Sequence, residues 1–143
     1  MEHSSGKKGS GRNHRYTIII LLIIFIIGTV QALSGRSGSV SAQIDDHMLG
    51  VVGSGGDPVF VQLEEISQVQ LADEITFGSL LEGEEKKNTM SGLCENDTFG
   101  TYTLHVYKTS SPYIVVSYGD GETLVFNQRT AKQTRDMYED LIQ

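Results

Sequence analysis

"GTYTLHVYKTSSPYIVVSYGDGETLVFNQ", residues 100–128, is the stretch on which the fold turns. Within it Tyr102, Leu104 and Val106 alternate with Thr101, Thr103, His105 and Tyr107, the period of two that a strand with one buried face requires. Two further β-rich runs flank Asp120-Gly121. A two-residue type I′ turn needs positive φ at both central positions, and Asp-Gly tolerates it, so the runs are expected to pair as a hairpin. The period then changes. In "TAKQTRDMYEDLIQ", residues 130–143, Ala131, Thr134, Tyr138, Leu141 and Ile142 recur every three or four residues. That spacing predicts an amphipathic helix, with Asn127 or Thr130 as its N-cap.

Upstream, strand character continues. "QIDDHMLGVVG" places Ile44, Met48, Val51 and Val52 around Asp45-Asp46, which reads as strand, turn, strand. "GSGGDP" turns the chain into a third strand, where Val59, Val61 and Leu63 alternate with Phe60 and Gln62. Residues 67–71 alternate again. Residues 78–99 carry charge and glycine without a sustained period, and are expected to be a long loop with at most one short strand. Six or seven antiparallel strands and one C-terminal helix make an α+β plan. A single helix covering one opening of a curled sheet would give a capped, partly open barrel.

The other end of the chain has a different character. From Tyr16 to Gly35 no residue is charged, and residues 18–27 are aliphatic apart from Phe25. As a helix, that stretch reaches about 30 Å, the thickness of a bilayer's hydrocarbon. The expected organisation is a basic tail, 1–15; a transmembrane helix, 16–33; a Gly/Ser linker, 34–42; and one domain, 43–143, with its first strand entering near residues 40–43. Lys7, Lys8, Arg12 and Arg15 precede the span and only Arg36 follows closely, so the N-terminus is expected in the cytoplasm and the domain outside it. A secretory leader shares this layout, and Val30-Gln31-Ala32 has small residues where a signal peptidase cuts. The dense isoleucine run and the long basic segment favour a retained anchor; cleavage after Ala32 would instead release a secreted domain. A buried soluble helix would need a larger core than this chain can build.

Net charge is −7 at pH 7, and it is unevenly divided. Residues from 34 onward hold seventeen Asp and Glu against seven Lys and Arg. That sign repels phosphate, so nucleic acid is excluded as a partner and adhesion to anionic headgroups is disfavoured. The lone Cys94 cannot close an internal disulfide.

"LEEISQVQLADEI" (63–75), "GTYTLHVYKTSSPYIVVSYGDGETLVFNQ" (100–128) and "TRDMYEDLI" (134–142), taken with the strands before them, resemble the bacterial pleckstrin-homology-like domains found behind one N-terminal membrane helix. The likeness covers roughly residues 40–143 and lies in framework positions. It implies two sheets packed nearly orthogonally, a helix plugging one end, and a binding scaffold without chemistry of its own. Lipid-binding members of that superfold cluster Lys and Arg in the first strand connection. Here the early turns carry Asp45, Asp46 and Asp57, so phosphoinositide binding is not expected.

Motifs that could carry chemistry are weak. "GVVGSGG", residues 50–56, lacks the Lys-Ser/Thr and the following helix of a phosphate loop, and reads as a hairpin connection. The acidic groups Asp45-Asp46, Glu64-Glu65, Asp73-Glu74 and Glu82 to Glu85 follow no calcium-loop pattern and read as solvated surface. Cys94 with His47 and His105 is thin for zinc, and nothing beside Cys94 would activate its thiol. "NDT" at 96–98 is a formal glycosylation acceptor. Tyr102, Tyr107, Tyr113, Tyr118 and Tyr138 read as packing residues before they read as a recognition surface. No catalytic, cofactor-binding or metal-binding residue is assigned, and no cofactor is expected. The expected function is a membrane-anchored, non-catalytic interaction module that binds protein or peptide through an exposed strand edge or the segment 80–99. The alternative is a secreted or tethered enzyme, or a metal-dependent binder using the acidic clusters.

Overall fold

The computed structural model describes residues 37–143 together with Ile19, Ile20, Ile23, Ile24 and Ile26. The chain divides into two compact units, Met1–Leu33 and Ser34–Gln143. In the first, the five described isoleucines are helical. The basic tail at 1–15 and the rest of the expected span at 16–33 lie outside the described residues. Among the described residues, no helix is long and apolar enough to cross a membrane.

The second unit is mostly β. Its described strands are β1 (Val40–Asp45), β2 (Met48–Gly53), β3 (Val59–Gln62), β4 (Ile66–Ala72), β5 (Ser79–Glu85), β6 (Thr89–Asn96), β7 (Gly100–Tyr107), β8 (Tyr113–Tyr118) and β9 (Glu122–Phe126). One helix, α1 (Ala131–Ile142), ends the chain. The strands form a three-stranded sheet, β1-β2-β3, and a six-stranded sheet in the order β4-β8-β9-β7-β6-β5. The α+β plan holds, but the expected partly open barrel is replaced by two sheets that do not close. Pairing is antiparallel except between β7 and β9, where Thr103 to His105 lie parallel to Leu124 to Phe126. The hairpin about Asp120-Gly121 forms as expected, yet its second strand inserts between β7 and β8. A turn signal specifies a local reversal and says nothing about which slot the returning strand fills.

The expected loop at 78–99 is corrected to the hairpin β5–β6, whose register runs from Ser79↔Glu95 to Glu85↔Met90. Neither strand shows the alternation that reveals a half-buried strand. β5 is exposed along most of its length, and β6 is buried on both faces through Thr89, Met90, Ser91 and Cys94. Gly83 and Gly92 face each other across the pair at φ 127 and 144, so each contributes backbone where a strand predictor looks for side chains.

The large sheet is apolar on both sides. One face, with Ile114, Val116, Leu124 and Phe126, packs on Leu49, Val51 and Val61 of the small sheet and on Met137, Tyr138 and Leu141 of α1. The other carries Leu104, Val106, Val115 and Val125, and is covered by Ile75 and Phe77 of the β4–β5 connection and by Phe99. α1 therefore stays docked against the strands. Thr130 caps it in a reciprocal box with Gln133. Its buried stripe is Thr134, Met137, Tyr138 and Leu141; Ala131 and Ile142, expected on that stripe, face solvent. Asn127 caps nothing. It is fully buried, accepts from the Tyr107 N–H at 2.7 Å and donates to the Tyr107 and Ser110 carbonyls, extending the β7–β9 ladder with a side chain.

The outer edge of β1 is closed by the same device. Asn88 accepts from Gly38 N–H and donates to Gly38 C=O; the Tyr107 hydroxyl accepts from Val40 N–H at 3.0 Å and donates to its carbonyl; Gln128 donates to Ala42 C=O. Three side chains on alternate residues thus stand in for a strand. The spacer expected at 34–42 is consequently shorter, because the chain is tied down from Gly38 and β1 begins at Val40.

Candidate functional site

The residues singled out in the sequence do not converge. Asp45 ends β1 and Asp46 and His47 make the turn that follows, both at positive φ; Glu64 and Glu65 lie in a single 3-10 turn before β4; Asp73 and Glu74 follow β4; Glu82, Glu84 and Glu85 lie on β5. Among the described residues, no group of three or more His, Cys, Asp or Glu could hold a metal ion. Cys94 is fully buried on β6, and burial, reinforced by Glu85, pushes its thiol up to about 11. That is the opposite of an activated nucleophile. The tyrosines are engaged in the framework: Tyr102 donates to the Phe77 carbonyl at 2.6 Å, Tyr113 to that of Lys108, and Tyr107 serves β1. Asn96 of "NDT" holds its own turn, accepting from Phe99 N–H and donating to the Thr76 carbonyl.

Two places stand out once the strands are laid down. The first is β5, an edge of the large sheet with β6 on one side only. A bulge between Leu80 and Glu82 breaks its register: Leu80 packs against the same buried cluster as Phe77, whereas Leu81 is 49% exposed. Just ahead of β5, residues 73–77 form one wall of an open cleft of about 500 Å3, with Lys108 and Tyr113 opposite. Its floor is the edge-to-face pair of Phe77 and Tyr113, 5.7 Å between ring centres. Asp73 and Glu74 border it. Lys108 is turned to Glu85 at 3.0 Å, and Glu84 is within 3.9 Å of Lys86, so Glu82 is the β5 carboxylate outside these ion pairs. The site thus offers unpaired backbone along one strand, an exposed leucine and an acidic border, which together suit an extended, basic segment.

The second place is interior. Gly53 at the end of β2 and residues 54–58, the glycine-rich connection to β3, cross the face of β5–β6–β7. A methyl group on Gly53 would overlap both Ser91 Oγ and His105 Nδ1; one on Gly55 would overlap the Glu84 side chain; one on Gly56 would come within 2.7 Å of Gly92 Cα. The glycines are there because the strap lies directly on the sheet. Ser91 and His105 are register partners across β6 and β7, and both are almost completely buried. His105 Nε2 is 3.0 Å from the Asp57 carbonyl. A carbonyl only accepts, so Nε2 carries the proton and Nδ1 is the bare nitrogen. Nδ1 and Ser91 Oγ are the two buried side-chain polar atoms without a hydrogen-bond partner among the described residues. Burial, only partly offset by the bond to Asp57 and its charge, pulls the imidazole down to about 4.

Sequence reasoning treated His105 as a strand residue and missed this cluster, because its partner Ser91 sat in the supposed loop. The paired signals were the glycines at 53, 55 and 56 and the lone Gly92 that they approach. No family model, curated protein or solved structure matches the chain.

Proposed function

We propose that the chain is a single-span membrane protein whose pleckstrin-homology-like domain is displayed outside the cytoplasmic membrane as a non-catalytic module, and that it holds an extended protein segment along β5. The observation that carries the reading is the free edge of β5, with Leu81 half exposed at its bulge and with Lys108, paired to Glu85 at its end, lining the cleft that Asp73 and Glu74 border. Backbone pairing would supply affinity, Leu81 an apolar anchor, and Asp73, Glu74 and Glu82 a preference for Lys or Arg. The uncharged stretch ahead of residue 36, with basic residues before it, supports the anchor and its orientation.

Two measurements test this. Alkaline washing of membranes should leave the full-length chain in the pellet; a soluble product starting at Leu33 would overturn the anchor. Binding of the full chain in detergent to extended Lys/Arg-rich peptides should exceed binding to their Glu-substituted counterparts. It should fall at least tenfold with Leu81→Asp or Glu82→Lys. Equal affinity for both peptide sets, or indifference to both substitutions, would remove β5 as the contact.

A further inference from the structure

The strap at 54–58 and the histidine beneath it have no part in that reading. We propose that they form an acid-released latch: neutral His105 holds the strap through the carbonyl of Asp57, and protonation of Nδ1 lifts the strap from β5 and β6. The argument begins with what holds the strap down. From Gly55 to Pro58 it has no place in either sheet, and the hydrogen bond from His105 is its tie to the large sheet. Ser54, one residue earlier, bonds to Ser39 instead. Other neighbours of the imidazole are built into ladders: Gly53 at the end of β2, paired with Val40; Ser91 on β6; and Phe126 on β9, in register with His105 itself. If the site must open, the strap is the part that can move without breaking strand pairing.

Protonation gives it reason to open. A second N–H at Nδ1 brings a full charge into a site with no solvent, closed on one side by the Gly53 Cα. The charged groups around it are Asp57 on the strap and Glu84 beneath Gly55; β6 and β9 contribute Ser91 and Phe126, which do not titrate near neutrality. Asp57 offsets part of the cost, and the depressed imidazole shows that burial outweighs it. The direction follows from linkage. The closed form binds its proton only near pH 4, whereas a solvated imidazole binds it near 6.5. Closure is therefore fully favoured above pH 6.5 and weakens as the pH falls toward 4. Because Gly55 and Gly56 rest on Glu84 and Gly92, release also uncovers the inner face of the β5–β6 hairpin at its glycine-paired section. The latch stands on its own geometry, whatever β5 binds.

Hydrogen–deuterium exchange of the full chain in detergent micelles, from pH 7.5 to 4 and corrected for intrinsic exchange, reads the opening of residues 54–57. Opening should grow close to tenfold per pH unit below 6.5, levelling off toward pH 4 at about 150-fold, while β7, β8 and β9 stay protected. His105→Gln, which retains a donor for the Asp57 carbonyl but does not titrate, should give a flat profile. Gly53→Ala should loosen the strap already at pH 7.5, since its methyl group displaces Ser91 and His105. Strap exchange that ignores pH, or that rises only together with β7–β9, would overturn the latch, as would an unchanged pH response in His105→Gln. Should that variant not fold, the wild-type profile and Gly53→Ala decide the matter.

Discussion

Replacing Tyr107 by Phe removes one oxygen from the place where the two sheets are joined. The hydroxyl accepts from Val40 N–H at 3.0 Å and donates to Val40 C=O at 3.3 Å, in surroundings where Val40 and Tyr107 are both buried. The ring itself would remain, packed under the Arg129 guanidinium at 5.8 Å, so the substitution isolates the hydroxyl. Leaving a buried amide N–H without a partner costs about 1–3 kcal/mol, and the longer bond to the carbonyl adds little, so about 2 kcal/mol of stability should be lost. For a folded unit of this size that lowers Tm by roughly 8 °C. Urea and thermal unfolding of the full chain in detergent would give both numbers. Exchange protection at Val40 should fall more than at Val51, which lies in the middle strand of the small sheet between β1 and β3. A Tm within 2 °C of wild type, with Val40 still protected, would refute the view that side chains serve as the missing strand beside β1.

Other expectations follow from the same geometry. Gly92→Ala would drive a methyl group into the Glu82 carbonyl at φ 144 and should cost at least about 3 kcal/mol, whereas Gly100→Ala, with open space around it at φ 67, should cost about 1 kcal/mol; urea midpoints separate the two. Cys94, buried and with its thiol pushed up to about 11, should resist iodoacetamide at pH 8 in the folded protein and react fully in urea, as read by intact mass. Global stability should also depend on acid. With His105 at about 4 when folded and near 6.5 when unfolded, about 3 kcal/mol present above pH 6.5 is lost as the pH falls to 4, and His105→Gln should remove that slope from the urea midpoints.

Much of the small sheet and the C-terminal third was legible because each strand there carries its own signal. Val59 and Val61 alternate, Asp120-Gly121 announces a turn, and residues 131–142 change period. The β5–β6 hairpin was hidden for a physical reason: its stability comes from glycine-to-glycine contact and from burial of Ser91, Thr89 and Cys94, none of which scores as apolar alternation. The candidate edge was pointed to only as a region, because edge status belongs to the order of strands and not to any one of them. His105 was visible as a residue but not as part of a pair. Its neighbour across the ladder became definable only once β6 existed. The same holds for Asn88 and Gln128, ordinary surface-type residues in the sequence that become backbone substitutes when β1 lies beside them.

The position of β9 has a consequence for how this molecule is assembled. In the large sheet, β5, β6 and β7 form one panel and β4 with β8 another, and β9 is the seam between them. A nascent chain that has emerged only as far as Gly121 holds both panels with nothing to stitch them. Completion of the sheet must therefore await β9, the last of its strands in chain order, and a frameshift or stop shortly before Glu122 would leave two unjoined apolar flaps rather than a trimmed domain.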